Sequence, residues 1–414
     1  MDGYRCFACE EIQTADFDGW LCPSCGGNLD VINDRDTILS QVRQSPFDTA
    51  RIPLQIGHTP LYPAERLGQS IGMRNLYLKD DTINPSASSK DRASAIAVLR
   101  ALDIGADTIA VASTGNAGSS LACVAAAAGI QAVVFVPEKA PIAKLTQALS
   151  FGATVLAVRG SYDDAFDLCL SAASEFGWFN RSTGINPFTR EGKKICAWEI
   201  WTSLDGGVPD RVVVPTGDGN LLSAMWKGWC ELKAVGLIDC LPKIDCAQSS
   251  GSAAISHTVH RIRNREATNL QWSEIDVETV NASTVADSIS VDRPRDGLAA
   301  VRAIIESGGE AITVPDADIL AAIPEMASLS GVFPEPAAAA PWAAVKQLVS
   351  DGRIAADEVV VCLVSGNGLK DVAAAQAAIG QPQLIDLSLD AVKAAVFDNR
   401  PAPVRRQTES SKHR

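Results

Sequence analysis

Short apolar runs alternate with longer amphipathic stretches over much of the chain. Residues 76–79 (Leu-Tyr-Leu-Lys) predict a strand. Residues 91–102 predict a helix with Ala95, Val98 and Leu99 on one face. Strands follow at 109–112, 132–136 and 154–158, separated by helices at 117–128 and 143–151. The rhythm resumes with a strand at 211–214, a helix at 221–235 and a strand at 358–364. Strand–helix alternation at this spacing implies βαβ units and a parallel sheet, either two sheets or one sheet with a smaller α/β lobe.

Between these blocks the pattern is weaker. Residues 30–61 read as a linker and lead-in, with His58-Thr59-Pro60-Leu61 as a lead-in strand. The stretch after Gly251 that holds His257 and His260 reads as a loop, and the alanines at 337–340 open a helix. Residues 401–414 are polar and read as a disordered tail. No repeat of fixed period is present. The most apolar run, 121–136, is interrupted by Gly129 and Gln131 and is too short to span a bilayer.

Composition narrows the class. The 414 residues are 47% apolar and 21% charged, which suits a globular protein of two or three domains. A net charge of −13 argues against a general nucleic-acid binder. Residues 1–29 are polar and carry four cysteines, so they do not read as a signal peptide. A soluble, cytoplasmic protein is expected.

Eleven cysteines, an odd number, disfavour a disulfide framework. Four are clustered as Cys6-Phe-Ala-Cys9 and, twelve residues on, Cys22-Pro-Ser-Cys25. Two such knuckles can place four thiolates around zinc, giving a zinc-ribbon-like segment over 1–30. A metal-free hairpin or a redox pair is the alternative. A closed four-thiolate site has no open coordination position, so its expected role is structural.

Chemistry concentrates in four polar turns that follow strands, where ligands bind in open α/β sheets. Lys90, in Asn84-Pro-Ser-Ala-Ser-Ser-Lys90-Asp-Arg, stands at a helix mouth. The helix dipole there disfavours its charged form, so the amine can act as a Schiff-base nucleophile. Ser113-Thr114-Gly115-Asn116 offers hydroxyls, an amide and backbone N–H groups to a carboxylate, or else simply caps a helix. Gly217-Asp218-Gly219-Asn220-Leu221 suits a phosphate at a helix start, although Asp218 must point away. Ser365-Gly-Asn-Gly ends the last strand with a hydroxyl able to meet a heterocyclic nitrogen. Together the four turns match the needs of pyridoxal phosphate acting on an amino acid. Gly68-Gln-Ser70-Ile-Gly72 fits the nucleophile-elbow pattern but follows no buried strand, and with four histidines and no HExxH a second metal site is not expected.

Residues 84–92 resemble the N-P-[ST]-x-S-x-K-D-R motif of fold-type II pyridoxal-phosphate enzymes, and of the threonine synthase family in particular. Residues 113–117, 215–221 and 365–371 are similar to the family's asparagine loop, phosphate loop and T-G-x-G-L-K-D segment. Arg190-Glu-Gly-Lys-Lys and Gly331-Val-Phe-Pro-Glu-Pro-Ala also agree, and the match runs in order from about residue 50 to 375. The resemblance implies two parallel-sheet α/β lobes within 31–400, the smaller at about 95–190. It implies a Schiff base on Lys90, which also serves as general base. Asn116 would face the cofactor's phenolic oxygen, Gly217 to Leu221 its phosphate and Ser365 its pyridine nitrogen. Ser113, Thr114 and Gly115 would hold the substrate carboxylate.

The implied activity converts O-phosphohomoserine and water to threonine and phosphate. Replacement on O-phosphoserine and an ammonia-lyase reaction on threonine or serine are the alternatives. A homodimer is implied, with neither nucleic acid nor membrane as partner. The chain departs from the family in two places. Ser89 stands where phenylalanine is usual. The family's N-S-x-N-P-x-R stretch, which helps bind the substrate's phosphate, becomes Thr183-Gly-Ile-Asn-Pro-Phe-Thr189-Arg190, so Thr189 and Arg190 are the candidate phosphate contacts.

Overall fold

The computed structural model describes residues 1–140, 142–264 and 270–398. They form two units, one over Met1–Ala378 and one over the described residues from Ile379 onward. Within the second unit, Leu389–Lys393 forms a short helix capped by Ser388. The predicted tail at 401–414 lies outside the described residues. No helix among the described residues is long and apolar enough to cross a membrane.

The first unit holds three sheets. The largest has six strands in the order Ala311–Val314, Lys243–Ser249, Arg211–Pro215, Val359–Val364, Asn75–Asp80, Leu61–Pro63. Its five long neighbours run parallel and only the Leu61–Pro63 edge is antiparallel. A second, all-parallel sheet is ordered Thr154–Val158, Gln131–Pro137, Thr108–Ala112, Phe179–Asn180. The third is antiparallel and small: Ile12–Gln13, Gly3–Cys6 and Leu29–Ile32. In the large sheet the chain steps outward from Arg211–Pro215 and then returns to its other side at Val359–Val364. That reversal opens a crevice beyond the carboxyl ends of these two strands, the usual ligand position in such sheets.

Arg211–Pro215 is buried throughout. Val212 and Val214 pack into one apolar cluster with Trp198, Leu222 and Trp229, whereas Val213 joins Leu78, Trp342 and Cys362 on the opposite face. Helices therefore cover both faces, which is why the strands read as continuous apolar runs without alternation. Close approach of the helices Lys90–Asp103 and Phe188–Ser203 needs Gly192, because a Cβ there would lie 1.9 Å from the Arg92 carbonyl oxygen. A buried charge network ties the same helices to the sheet. Glu199 accepts from Lys79 Nζ and from Arg92 Nη1 and Nη2, each at 2.7 Å, and Arg92 Nη2 also reaches Asp81 at 2.8 Å.

Three expectations are corrected. His257 and His260 lie on the helix Ala254–Arg263, not in a loop. Ile255, Val259 and Ile262 recur at helical spacing and bury one face, a signal masked by the Ser-Gly-rich stretch before them. His58 is no strand residue: its φ is 51°, and the strand starts at Leu61. The supposed linker contains the helix Arg35–Arg43, whose N-cap Asp34 accepts from the Thr37 N–H. Ser70, at the end of the helix Glu65–Gln69, donates to the Leu67 carbonyl and forms no elbow.

Candidate active site

A cavity of about 920 Å³ opens at the carboxyl ends of the strands. Lys90, residues 113–116, residues 215–222 and Ser365 all line it, so the four turns converge. Lys90 is the first residue of its helix. The turn before it is stitched to the last strand, because Ser89 N–H donates to the Ser365 carbonyl at 2.8 Å and Ser88 bridges Gly366. The lysine is enclosed and keeps only part of its surface open to the cavity. Burial lowers its pKa from the ordinary 10.5, and Arg181 lowers it further against the opposing pull of Glu335 and Asp218. A larger fraction of neutral amine results, the form a nucleophile requires.

The phosphate-type cradle is built by backbone. Gly219 has φ 94° and caps the helix Asn220–Ala234, and a Cβ there would meet the Asp296 carbonyl oxygen at 2.7 Å. Among the described residues, the N–H groups of Gly217, Asp218 and Gly219 have no acceptor. Free N–H groups at a helix start suit an anion, so the residues present fit a cofactor phosphate. Asp218 turns aside: its carboxylate accepts the Arg295 N–H at 2.5 Å. Burial, with Asp296 nearby, pushes its pKa up to about 6.

Asn116 opens the helix Asn116–Ala128, and its amide donates to Glu335 at 2.8 Å and to Ser288 at 3.2 Å. Gly115 N–H donates to the Ser113 hydroxyl at 3.2 Å. The loop 113–115 lies against the same cavity.

Thr189 and Arg190 do not line the cavity. Thr189 is buried and bonds the Asn186 carbonyl. Arg190 grips both oxygens of Asp296 at 2.6 Å and reaches Asp30 at 3.1 Å, the Leu29 carbonyl and Ser223. Its guanidinium also covers the Phe7 ring at 4.3 Å. The one-residue displacement turns the arginine around the helix, toward the N-terminal sheet and out of the cavity lining. Asp296 in turn accepts from Asn220 Nδ2 at 2.9 Å, so Arg190 braces the start of the cradle helix.

Cavity residues to which the sequence assigns no role include Arg181, Lys193, Ser288 and Glu335. Lys193 is buried, and its Nζ donates to Asn220 Oδ1 at 2.5 Å. Burial, then repulsion from Lys90 and Arg181, holds its pKa well below 10.5. Its signal was available: Lys193 follows Thr189 and precedes Ala197 and Ile200 on the inward face of a helix, where a lysine is out of place unless it meets an anion. Glu335 caps the helix Pro336–Ser350, and its carboxyl is raised by burial and only partly relieved by Asn116.

At the N-terminus, Cys6, Cys9, Cys22 and Cys25 bring their sulfurs within 4.8 Å of one another. Three of the sulfur pairs are 3.4, 3.5 and 3.6 Å apart. The sulfur–sulfur edge of a zinc tetrathiolate is about 3.8 Å, so the four residues fit such a metal.

A sequence profile of the pyridoxal-phosphate dependent enzyme family matches residues 52–366. A threonine synthase of Methanosarcina acetivorans is 36% identical over 408 residues, covering 95% of this chain and 98% of that protein. One of Methanocaldococcus jannaschii is 35% identical over 408 residues, covering 94% and 98%. One of Mycobacterium tuberculosis is 35% identical over 325 residues, covering 78% and 85%. Among solved structures, the processed threonine deaminase isoform 2 of Solanum lycopersicum superposes with a TM-score of 0.68 at 19% identity, over 85% of this chain and 96% of that one. Maize serine racemase gives 0.65 at 18% identity, over 82% and 94%. These two likenesses speak for the shared α/β fold. The profile match and the near-full-length relatives, joined to a half-buried lysine that shares a cavity with a backbone phosphate cradle, place the chain among the fold-type II pyridoxal-phosphate-dependent enzymes, in the threonine synthase family.

Proposed function

We propose that the protein converts O-phosphohomoserine and water to threonine and phosphate. The observation that carries this reading is Lys90, held between the cradle at 217–221 and the polar loop at 113–115 in one cavity. Pyridoxal phosphate, when bound, supplies an electron sink that stabilises negative charge on substrate carbons. The chain's own groups supply the rest. Lys90 Nζ would hold the cofactor and, when free, would take and return protons at the substrate's α and β carbons; its lowered pKa keeps the amine available as a base. The free N–H groups of 217–219, with Asn220 and Leu221, would hold the cofactor phosphate. Asn116 would face the phenolic oxygen. Ser365 offers the pyridine nitrogen a neutral hydroxyl, which favours elimination and replacement over transamination. Ser113, Thr114 and Gly115 bind the substrate carboxylate.

The four clustered thiolates hold one structural zinc, a reading supported by their spacing and by the small sheet built around them. All eleven cysteines are free, which suits the reducing cytoplasm. The test of function is a substrate panel on cofactor-loaded protein: O-phosphohomoserine, O-phosphoserine, threonine and serine, with phosphate, ammonia and amino-acid products followed. Threonine and phosphate in equal amounts from O-phosphohomoserine are expected. Product from another substrate, with O-phosphohomoserine inert, would overturn the assignment.

A further inference from the structure

The buried cations of the body divide into two groups. Lys79, Arg92, Arg190, Lys194, Arg211 and Lys227 each have a carboxylate oxygen within 3.1 Å. Among the described residues, the buried Arg181 and Lys193 have none within salt-bridge distance, and both line the cavity together with the half-buried Lys90. Lys90 has its task as the cofactor's tether. Lys193 is bonded to Asn220 and so stands at the start of the cradle helix. Arg181 is left over.

Arg181 has no exposed surface. Its backbone N–H donates to the Ala110 carbonyl, which sets it beside the strand that leads into the loop 113–115. Two neutral hydroxyls orient the side chain: Nε meets Ser94 at 3.3 Å and Nη1 meets Thr183 at 3.0 Å. Nη2 is buried without an acceptor. A guanidinium enclosed in this way, with no counter-charge and an idle donor, is costly unless an anion completes it. Its planar fork matches an oxyanion that accepts two parallel hydrogen bonds. Lys193 already stands at the cradle helix, and Arg181 lies beside the strand that leads into the loop 113–115, which assigns its anion to the substrate. Arg190, the arginine that the sequence offers for this purpose, is fully engaged by Asp296 and Asp30.

We propose that Arg181, oriented by Ser94 and Thr183, is the specificity-determining residue that holds the phosphate monoester carried on the substrate's side chain. This rests on the proposed function only for the identity of the substrate; the anion site itself rests on the unpaired guanidinium.

The test uses the cofactor-loaded enzyme, Arg181→Met and Arg181→Lys, with inorganic phosphate as the probe. Arg181→Met is expected to raise KM for O-phosphohomoserine about 10- to 100-fold, the usual effect of losing a charged hydrogen-bonding partner. Inhibition by inorganic phosphate should weaken in the same proportion, while cofactor retention through gel filtration stays unchanged. Inorganic phosphate should raise the melting temperature of the wild type and not that of Arg181→Met. Without phosphate, Arg181→Met should melt no lower than the wild type, because a buried unpaired charge has been removed. Arg181→Lys, which keeps the charge and loses the fork, should fall between. A lower melting temperature with unmoved KM and unmoved phosphate inhibition would make Arg181 merely structural and overturn the proposal. If Arg181→Met does not fold, unchanged phosphate inhibition in Arg181→Lys overturns it instead. If the wild type leaves O-phosphohomoserine untouched but still shows Arg181-dependent stabilisation by phosphate, the proposed reaction falls and the anion site stands.

Discussion

Replacing Arg190 separates two roles for one residue. The sequence suggests an arginine that meets substrate, whereas the structure shows a brace. In Arg190→Met the buried Asp296 carboxylate, whose side chain has no exposure, loses two hydrogen bonds of 2.6 Å. Asp30 loses one of 3.1 Å, and the bonds to Leu29 and Ser223 disappear with them. Removing one partner of a buried ion pair leaves an uncompensated charge and costs about 3–5 kcal/mol. With an unfolding entropy of about 2 cal/mol/K per residue, that loss corresponds to a fall of about 4–6 °C in apparent Tm for a chain of this size. The damage should also reach the cofactor, because Asp296 anchors Asn220 at the cradle. Differential scanning calorimetry, with cofactor retention followed through gel filtration, reads both effects. The residual KM of variant molecules that keep the cofactor should stay within about threefold of wild type. An unchanged melting temperature together with a tenfold rise in KM would show that Arg190 reaches substrate and that the reasoning is wrong.

Three further outcomes follow from the packing and the charges. Burial alone would raise the Glu199 carboxyl, but Arg92 and then Lys79 outweigh it and hold it far below the ordinary 4.5. Its contribution to stability is therefore complete above pH 4.5 and is lost as pH falls toward the depressed native value. Glu199→Gln should lose about 3–5 kcal/mol at neutral pH and show a flatter acid limb in Tm against pH; an acid limb identical to wild type refutes the assignment. Gly192→Ala should destabilise by about 1–3 kcal/mol or more in chemical denaturation, since the added methyl carbon would stand 1.9 Å from the Arg92 carbonyl; a neutral effect would mean that the two helices separate freely. Removing metal with a chelator should release one zinc per chain, expose four thiols to a colorimetric reagent and weaken cofactor retention, because Phe7, Leu29 and Asp30 of the N-terminal segment all contact Arg190. Metal-free protein that retains cofactor as the wild type does would uncouple the two sites.

Local chemistry made much of this protein readable from its sequence. Apolar runs bounded by turn residues mark the strands Asn75–Asp80, Thr108–Ala112, Gln131–Pro137, Thr154–Val158, Arg211–Pro215 and Val359–Val364 within a residue or two, whereas Phe179–Asn180, Lys243–Ser249 and Ala311–Val314 go unread. The paired Cys-x-x-Cys knuckles, the lysine at a helix mouth and the glycine turn at 217–219 depend on residue type and short spacing, so they survive without a fold to display them. The helix Ala254–Arg263 was harder, because a polar loop stretch precedes a pattern of only ten residues.

What the sequence could not decide was partnership across long separations. Arg181 and Arg190 are both arginines near one motif, and nothing local distinguishes them. Folding alone sets Arg190 against Asp296 and leaves Arg181 without a carboxylate. Lys193 and Lys194 are adjacent, yet the helical turn sends one to the cavity and the other to Glu191 and Glu231. Asn116 lines the cavity as the sequence suggests, and folding alone supplies its amide with Glu335, 219 positions away, as an acceptor. Residue type states what a side chain can bind. Which charge stays unpaired, and so which residue awaits a ligand, depends on the neighbours that tertiary packing brings within hydrogen-bond reach.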